Sequence, residues 1–120
     1  MTPFQYKNGV LHADDVSLAS IADAVGTPFY CYSETAIVGQ FDAYVRAFAG
    51  QDVRVCYAMK ANDNLAVLRA LADRGAGVDV VSGGELKKAL VAGIPADRII
   101  FSGVGKTEDE LAKALDTGIM

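Results

Sequence analysis

The chain is expected to be an α/β protein built on parallel strands joined by helices, and three observations carry that expectation. Apolar runs rich in Val, Ile and Tyr recur over 54–60, 77–81 and 98–102. Each is followed by a stretch with apolar residues at helical spacing, and glycines end those stretches at Gly75, Gly93 and Gly118. The connections between them are short, which argues for right-handed crossovers into one sheet. Pattern alone leaves a doubly wound sheet and a β/α barrel both open.

The N-terminal part departs from this alternation. Phe4-Gln5-Tyr6-Lys7-Asn8-Gly9-Val10-Leu11 places an Asn-Gly pair between short apolar stretches, a hairpin signal. Ser17 can cap a helix whose Leu18, Ile21, Ala22 and Val25 recur at i, i+3, i+4 and i+7, with Gly26 as its stop. Thr27-Pro28 leads into Phe29-Tyr30-Cys31-Tyr32, read as a strand on its aromatic content. Residues 35–48 align Ile37, Phe41, Tyr44, Val45 and Phe48 on one face of a longer helix.

The regular units follow. The run Arg54-Val55-Cys56-Tyr57-Ala58-Met59-Lys60 reads as a strand with Lys60 at its tip, sharing a face with Cys56 and Ala58. A helix starting near Asn64 points Leu65, Leu68, Leu71 and Ala72 inward. Strand 77–81 turns through Ser82-Gly83-Gly84 into a helix carrying Leu86, Ala89 and Leu90. After strand 98–102, Thr107 and Glu110 form a capping box for a helix with Leu111, Ala114 and Leu115. Ile119-Met120 reads as the opening of another strand, so the chain is expected to be the N-terminal part of a longer protein.

Composition narrows the function classes. The 120 residues are 52% hydrophobic with a formal net charge of -4 and no basic cluster, which favours a small-molecule partner over nucleic acid. No apolar run is long enough to span a bilayer and no secretory signal precedes the hairpin, so the expected location is cytoplasmic. Cys31 and Cys56 both fall in expected strands without metal-ligand spacing, which fits free thiols and no metal site. His12 reads as a hairpin residue. Gly105-Lys106-Thr107 lacks the glycine a P-loop needs five positions earlier, where Ile100 stands.

Two charged residues stand out in apolar surroundings. Lys60 ends a strand whose neighbours favour burial, and it is either a lysine reaching into water or a reactive amine. Asp79, between Val78 and Val80, needs a partner if buried, whether an ion pair, a loop hydrogen bond or a ligand. Glu85 fits a first-turn helix glutamate favoured by the helix dipole. The amides of Ser82-Gly83-Gly84 read first as a tight turn and second as a phosphate cradle.

Four segments carry a resemblance. Tyr57-Ala58-Met59-Lys60-Ala61-Asn62, Gly77-Val78-Asp79-Val80-Val81-Ser82-Gly83-Gly84-Glu85-Leu86, Ala92-Gly93-Ile94-Pro95 and Phe101-Ser102-Gly103-Val104-Gly105-Lys106-Thr107 resemble, in order, the N-terminal motifs of the diaminopimelate decarboxylase family. These are pyridoxal-phosphate-dependent decarboxylases of the alanine-racemase fold type. The resemblance implies a β/α (TIM) barrel whose first units occupy 34–120, preceded by a segment, 1–33, that joins a separate β-domain. It implies pyridoxal 5'-phosphate as cofactor, Lys60 as the Schiff-base lysine, and Asp79 and Glu85 near the cofactor. It further implies decarboxylation of meso-2,6-diaminopimelate to L-lysine, the last step of lysine biosynthesis, in a homodimer. The family's phosphate loop, its partner for the pyridine nitrogen and its substrate-site residues are expected beyond Met120. Two alternatives remain: a sister decarboxylase of ornithine, arginine or carboxynorspermidine, which shares the lysine and aspartate strands, and a non-catalytic binding or regulatory homologue that keeps the fold's N-terminal half.

Overall fold

The computed structural model describes residues 2–120, beginning with an antiparallel meander. Strand β1 (Phe4–Lys7) pairs with β2 (Val10–Ala13), Phe4 opposite Ala13 and Lys7 opposite Val10, and β2 pairs with the short β3 (Val16–Ser17). Asn8 and Gly9 have φ of 53° and 79°, the left-handed pair that an Asn-Gly hairpin turn uses. The expected hairpin is therefore present. Helix α1 (Leu18–Val25) is capped by the Ser17 side chain and closed at Gly26, as its spacing indicates.

Residues 29–32 form no strand, contrary to expectation. Aromatic content favours a strand only where a neighbour completes the ladder, and here Tyr30 is 92% exposed. Helix α2 (Glu34–Ala47) follows. Its first turn is fixed by the buried Ser33, whose hydroxyl accepts from Ala36 N at 3.0 Å and donates to the Asp14 carboxylate at 2.9 Å. Val38 and Phe41 are its buried positions, while Tyr44, Val45 and Phe48 of the expected stripe are exposed. Two compact units divide between Gln40 and Phe41, within α2.

In the second unit β4 (Cys56–Ala58), β5 (Gly77–Val80) and β6 (Ile99–Phe101) form a parallel sheet in the order β4-β5-β6. Helices α3 (Leu65–Ala72), α4 (Gly83–Val91) and α5 (Glu108–Thr117) follow the three strands in turn. Side-chain alternation divides the sheet cleanly. On one face Val78, Val80 and Ile99 join a single buried cluster with Leu68 of α3, Leu86 and Ala89 of α4, and Ala114 of α5. Removing each large aliphatic side chain of this cluster from water contributes about 1.5–3 kcal/mol. The opposite face carries Cys56, Ala58, Gly77, Asp79 and Ile100, and none of them belongs to that cluster. All three helices thus serve one face.

Gly77 shows how tightly β5 is seated. A Cβ there would lie 2.6 Å from Cys56 Sγ and 2.7 Å from the Arg98 carbonyl oxygen, so no larger residue fits without movement. Thr107 with Glu110 forms the expected capping box on α5, and Asn64 and Ser82 prove to be the side-chain caps of α3 and α4. Leu65, Leu90, Leu111 and Leu115 are exposed, although spacing pointed them inward. Small residues, Ala89 and Ala114, take the innermost positions instead and allow close approach to the sheet. Ile119 and Met120 form no strand, yet Met120 N donates to Ile99 O at 3.1 Å and continues alongside β6. Among the described residues no helix is long and apolar enough to cross a membrane.

Candidate active site

The three parallel strands end at one edge of the sheet; Lys60 and Glu85 follow those ends, and Asp79 lies within β5. Lys60 is not within the strand. The β4 ladder stops at Ala58, and Met59–Ala61 form a single 3-10 turn. Met59 is fully buried and turns the chain, so the strand alternation that would have put Lys60 beside Cys56 and Ala58 no longer applies. The turn is tied down beyond the lysine. Tyr57 Oη donates to Asn62 O at 3.1 Å, Asn62 Oδ1 accepts from Asn64 N at 3.0 Å, and Asp63 pairs with Lys88 of α4. Lys60 itself is exposed and makes no hydrogen bond or ion pair among the described residues.

Asp79 occupies the middle strand with Ala58 and Ile100 as its register partners. It is half-buried, and its Oδ1 is shut off from solvent with no hydrogen-bond partner. Leaving such an acceptor unsatisfied costs about 1–3 kcal/mol, which an incoming donor at this position would relieve. Glu85 is differently committed. Its Oε2 accepts from Val81 N at 2.8 Å and closes the turn between β5 and α4, while Glu85 N donates to Ser82 Oγ at 3.2 Å.

The turn at Ser82-Gly83-Gly84 is less open to a phosphate than its glycines suggest, because Gly83 N donates to Glu110 Oε1 at 2.7 Å. That contact was not legible in the sequence. The Thr107–Glu110 spacing signals the α5 cap but says nothing of the second carboxylate oxygen. Lys106 is also occupied: its ammonium bonds the Gly103 carbonyl and lies 5.3 Å from the centre of the Phe101 ring. Burial pushes the Cys56 thiol up, and its Sγ lies against Gly77 of β5. Cys31 lies outside any strand, and His12 Nδ1 contacts Val10 O at 2.9 Å within the hairpin. No cluster of metal-ligating side chains occurs among the described residues.

An exposed amine without a partner, next in the chain to a strand whose neighbour holds an orphaned carboxylate oxygen, is a donor set suited to a carbonyl cofactor. The model of the pyridoxal-binding domain of pyridoxal-dependent decarboxylases matches residues 34–120. The chain belongs to the pyridoxal-dependent decarboxylases. Diaminopimelate decarboxylase of Pseudomonas fluorescens is 49% identical over 119 residues, covering 99% of this chain and 29% of that protein. The Aquifex aeolicus enzyme of the same name is 48% identical over 116 residues, covering 97% of this chain and 27% of its own length. In structure, M. jannaschii diaminopimelate decarboxylase complexed with L-lysine superposes with a TM-score of 0.92 at 37% identity, over 98% of this chain and 29% of that one. Lysine/ornithine decarboxylase of Vibrio vulnificus complexed with cadaverine gives 0.77 at 26% identity, over 85% and 28%. The chain therefore spans somewhat under a third of the length of these decarboxylases, and it carries the same mixed α/β fold over that length.

The residues present fit pyridoxal phosphate. Lys60 offers a primary amine able to condense with an aldehyde, and Asp79 offers an unsatisfied acceptor.

Proposed function

We propose that the full-length protein decarboxylates meso-2,6-diaminopimelate to L-lysine, the last step of lysine biosynthesis, with pyridoxal 5'-phosphate held at Lys60. The observation that carries this reading is the unpaired, exposed Lys60 just past Ala58, the register partner of Asp79 with its orphaned Oδ1. Lys60 is preferred over Lys106 because the Lys106 ammonium already serves the loop after β6. When bound, the cofactor supplies a conjugated pyridinium that takes up the electron pair left behind as carbon dioxide departs. Lys60 Nζ would hold the cofactor through its primary amine, and the same amine would carry a proton to the substrate carbon that has lost its carboxylate. Asp79 Oδ1 would be available to accept a hydrogen bond from that amine or from the cofactor, and the Glu85 oxygen not bound to Val81 would be a second acceptor.

The same reading places 34–120 as the first units of a β/α barrel of the alanine-racemase type, with 1–33 contributing to a separate β-domain. Support comes from the sheet's one-sided helices and its small-residue face, since a barrel interior is lined by one strand face and its helices lie outside. A cytoplasmic homodimer completes the picture by resemblance to the family. The substrate is assigned by similarity. Relatives named for diaminopimelate reach 49% identity, whereas the lysine/ornithine enzyme stands at 26%.

Borohydride reduction of the full-length, cofactor-loaded protein followed by peptide mapping is expected to place the adduct on Lys60. An adduct on Lys106 or elsewhere overturns the assignment. Carbon dioxide release is expected to be fastest from meso-diaminopimelate; faster release from ornithine or arginine would select a sister decarboxylase, and none from any amino acid a regulatory homologue.

A further inference from the structure

Glu110 does more than cap its own helix. Its Oε2 accepts from Thr107 N at 2.9 Å and from Thr107 Oγ1 at 3.1 Å, completing the capping box of α5. Its Oε1 accepts from Gly83 N at 2.7 Å, at the first residue of α4 and 27 positions away in the chain. The cap needs only the first oxygen, so the second bond is a separate feature. The space at residue 83 agrees with it: a Cβ there would sit 3.2 Å from Glu110 Cγ and 3.4 Å from Oε1, and glycine leaves that room to the carboxylate. These bonds hold the Glu110 carboxyl below the ordinary carboxylate range, with the Gly83 amide the largest cause, so the group is anionic at neutral pH.

The segment so gripped is the one that matters to the site. It begins just after Asp79 and ends at Glu85, and it is held from within by Glu85 Oε2 on Val81 N and from the next helix by Glu110 Oε1 on Gly83 N. Charge-assisted bonds of this kind are stronger than neutral ones and pin their donors.

We infer that Glu110 is a positioning residue: by joining the starts of α4 and α5 through one carboxylate, it fixes the Ser82–Glu85 turn on which the proposed cofactor site depends. This rests on the functional reading above, and the test separates the two. Full-length wild type, Glu110→Ala, Glu110→Gln and Thr107→Ala are compared, Thr107→Ala weakening the α5 cap while sparing the Gly83 bond. Without cofactor, amide exchange at residues 83–85 is expected to be roughly tenfold faster in Glu110→Ala, the size of one lost charge-assisted bond, and changed by less than about twofold in Thr107→Ala. The apparent Kd for pyridoxal phosphate is expected to rise by roughly the same factor in Glu110→Ala alone, with partial recovery in Glu110→Gln, which keeps an acceptor oxygen. Equal effects in Thr107→Ala and Glu110→Ala, unchanged exchange in Glu110→Ala, or faster exchange with an unaltered cofactor Kd would each overturn the inference. An adduct mapped away from Lys60 would instead sink the functional reading.

Discussion

Replacing Gly77 with Ala tests how closely β5 is seated between β4 and β6. The added Cβ would lie 2.6 Å from Cys56 Sγ and 2.7 Å from the Arg98 carbonyl oxygen, where ordinary contact begins near 3.4 Å. One neighbour is a side chain able to rotate; the other is backbone at the entry to β6. Relief on the second side requires β5 and β6 to part by about 0.7 Å, which strains the ladder and forfeits a quarter to a half of the dispersion energy of the contacts behind it. Overpacking a well-filled interior costs about 1–3 kcal/mol, and a backbone obstacle puts Gly77→Ala near the upper end, about 3 kcal/mol. Urea unfolding of the full-length protein measures the change. A second substitution, Cys56→Ala, removes only the sulfur contact and is expected to restore less than half of the loss. Thiol labelling gives an independent readout, because burial raises the Cys56 thiol and keeps it slow in the wild type, whereas a parted ladder exposes it. A destabilisation under about 0.5 kcal/mol with unchanged labelling would refute the close approach.

Asp79→Ala in the full-length protein is expected to lower turnover more than stability, since its Oδ1 has no partner in the fold to lose; a drop of about 3–5 kcal/mol with an unchanged rate would mark it as half of a buried ion pair. Glu110 has a depressed folded pKa, so its stabilising effect is present above its ordinary value of 4.5 and is lost as pH falls through the depressed one. The difference in unfolding midpoint between wild type and Glu110→Ala should accordingly shrink on acidification below about pH 4.5, and a constant difference would contradict this. The 120-residue chain expressed alone leaves the outer edge of β4 unpaired and that of β6 met only by Met120, so sedimentation and thermal melting should report association or a broad transition, with no carbon dioxide release. A monomer with a sharp melt and turnover would count against the barrel reading.

Local signals were legible where the chemistry is local. Ser17 and the Thr107–Glu110 box cap the helices expected of them, and Asn8-Gly9 makes its hairpin turn. What depends on distant partners was not. Phe29–Tyr32 has the composition of a strand but pairs with none among the described residues. Leucine spacing put Leu65, Leu111 and Leu115 inside, but the sheet selects whichever residue permits close approach, and at α5 that is Ala114. Within the site, Lys60 and Asp79 were visible as charges in apolar company. The Asp79 orphan oxygen, the tie from Glu110 to Gly83 and the pairing of Asp63 with Lys88 join residues 25 or more positions apart or turn on three-dimensional enclosure, and no spacing rule reaches them.

The early end of β4 has a mechanical consequence. Because Lys60 stands in a single 3-10 turn past the last ladder residue, its swing breaks no inter-strand hydrogen bond. Met59 before it is moored in the core and Asn62 after it is tied to Tyr57, so the mobile length is one side chain and its own peptide. The amine behaves as a short tether on a fixed post. In the role proposed for Lys60, repositioning the amine would need only side-chain rotamer changes, while the sheet that sets its reach stays still.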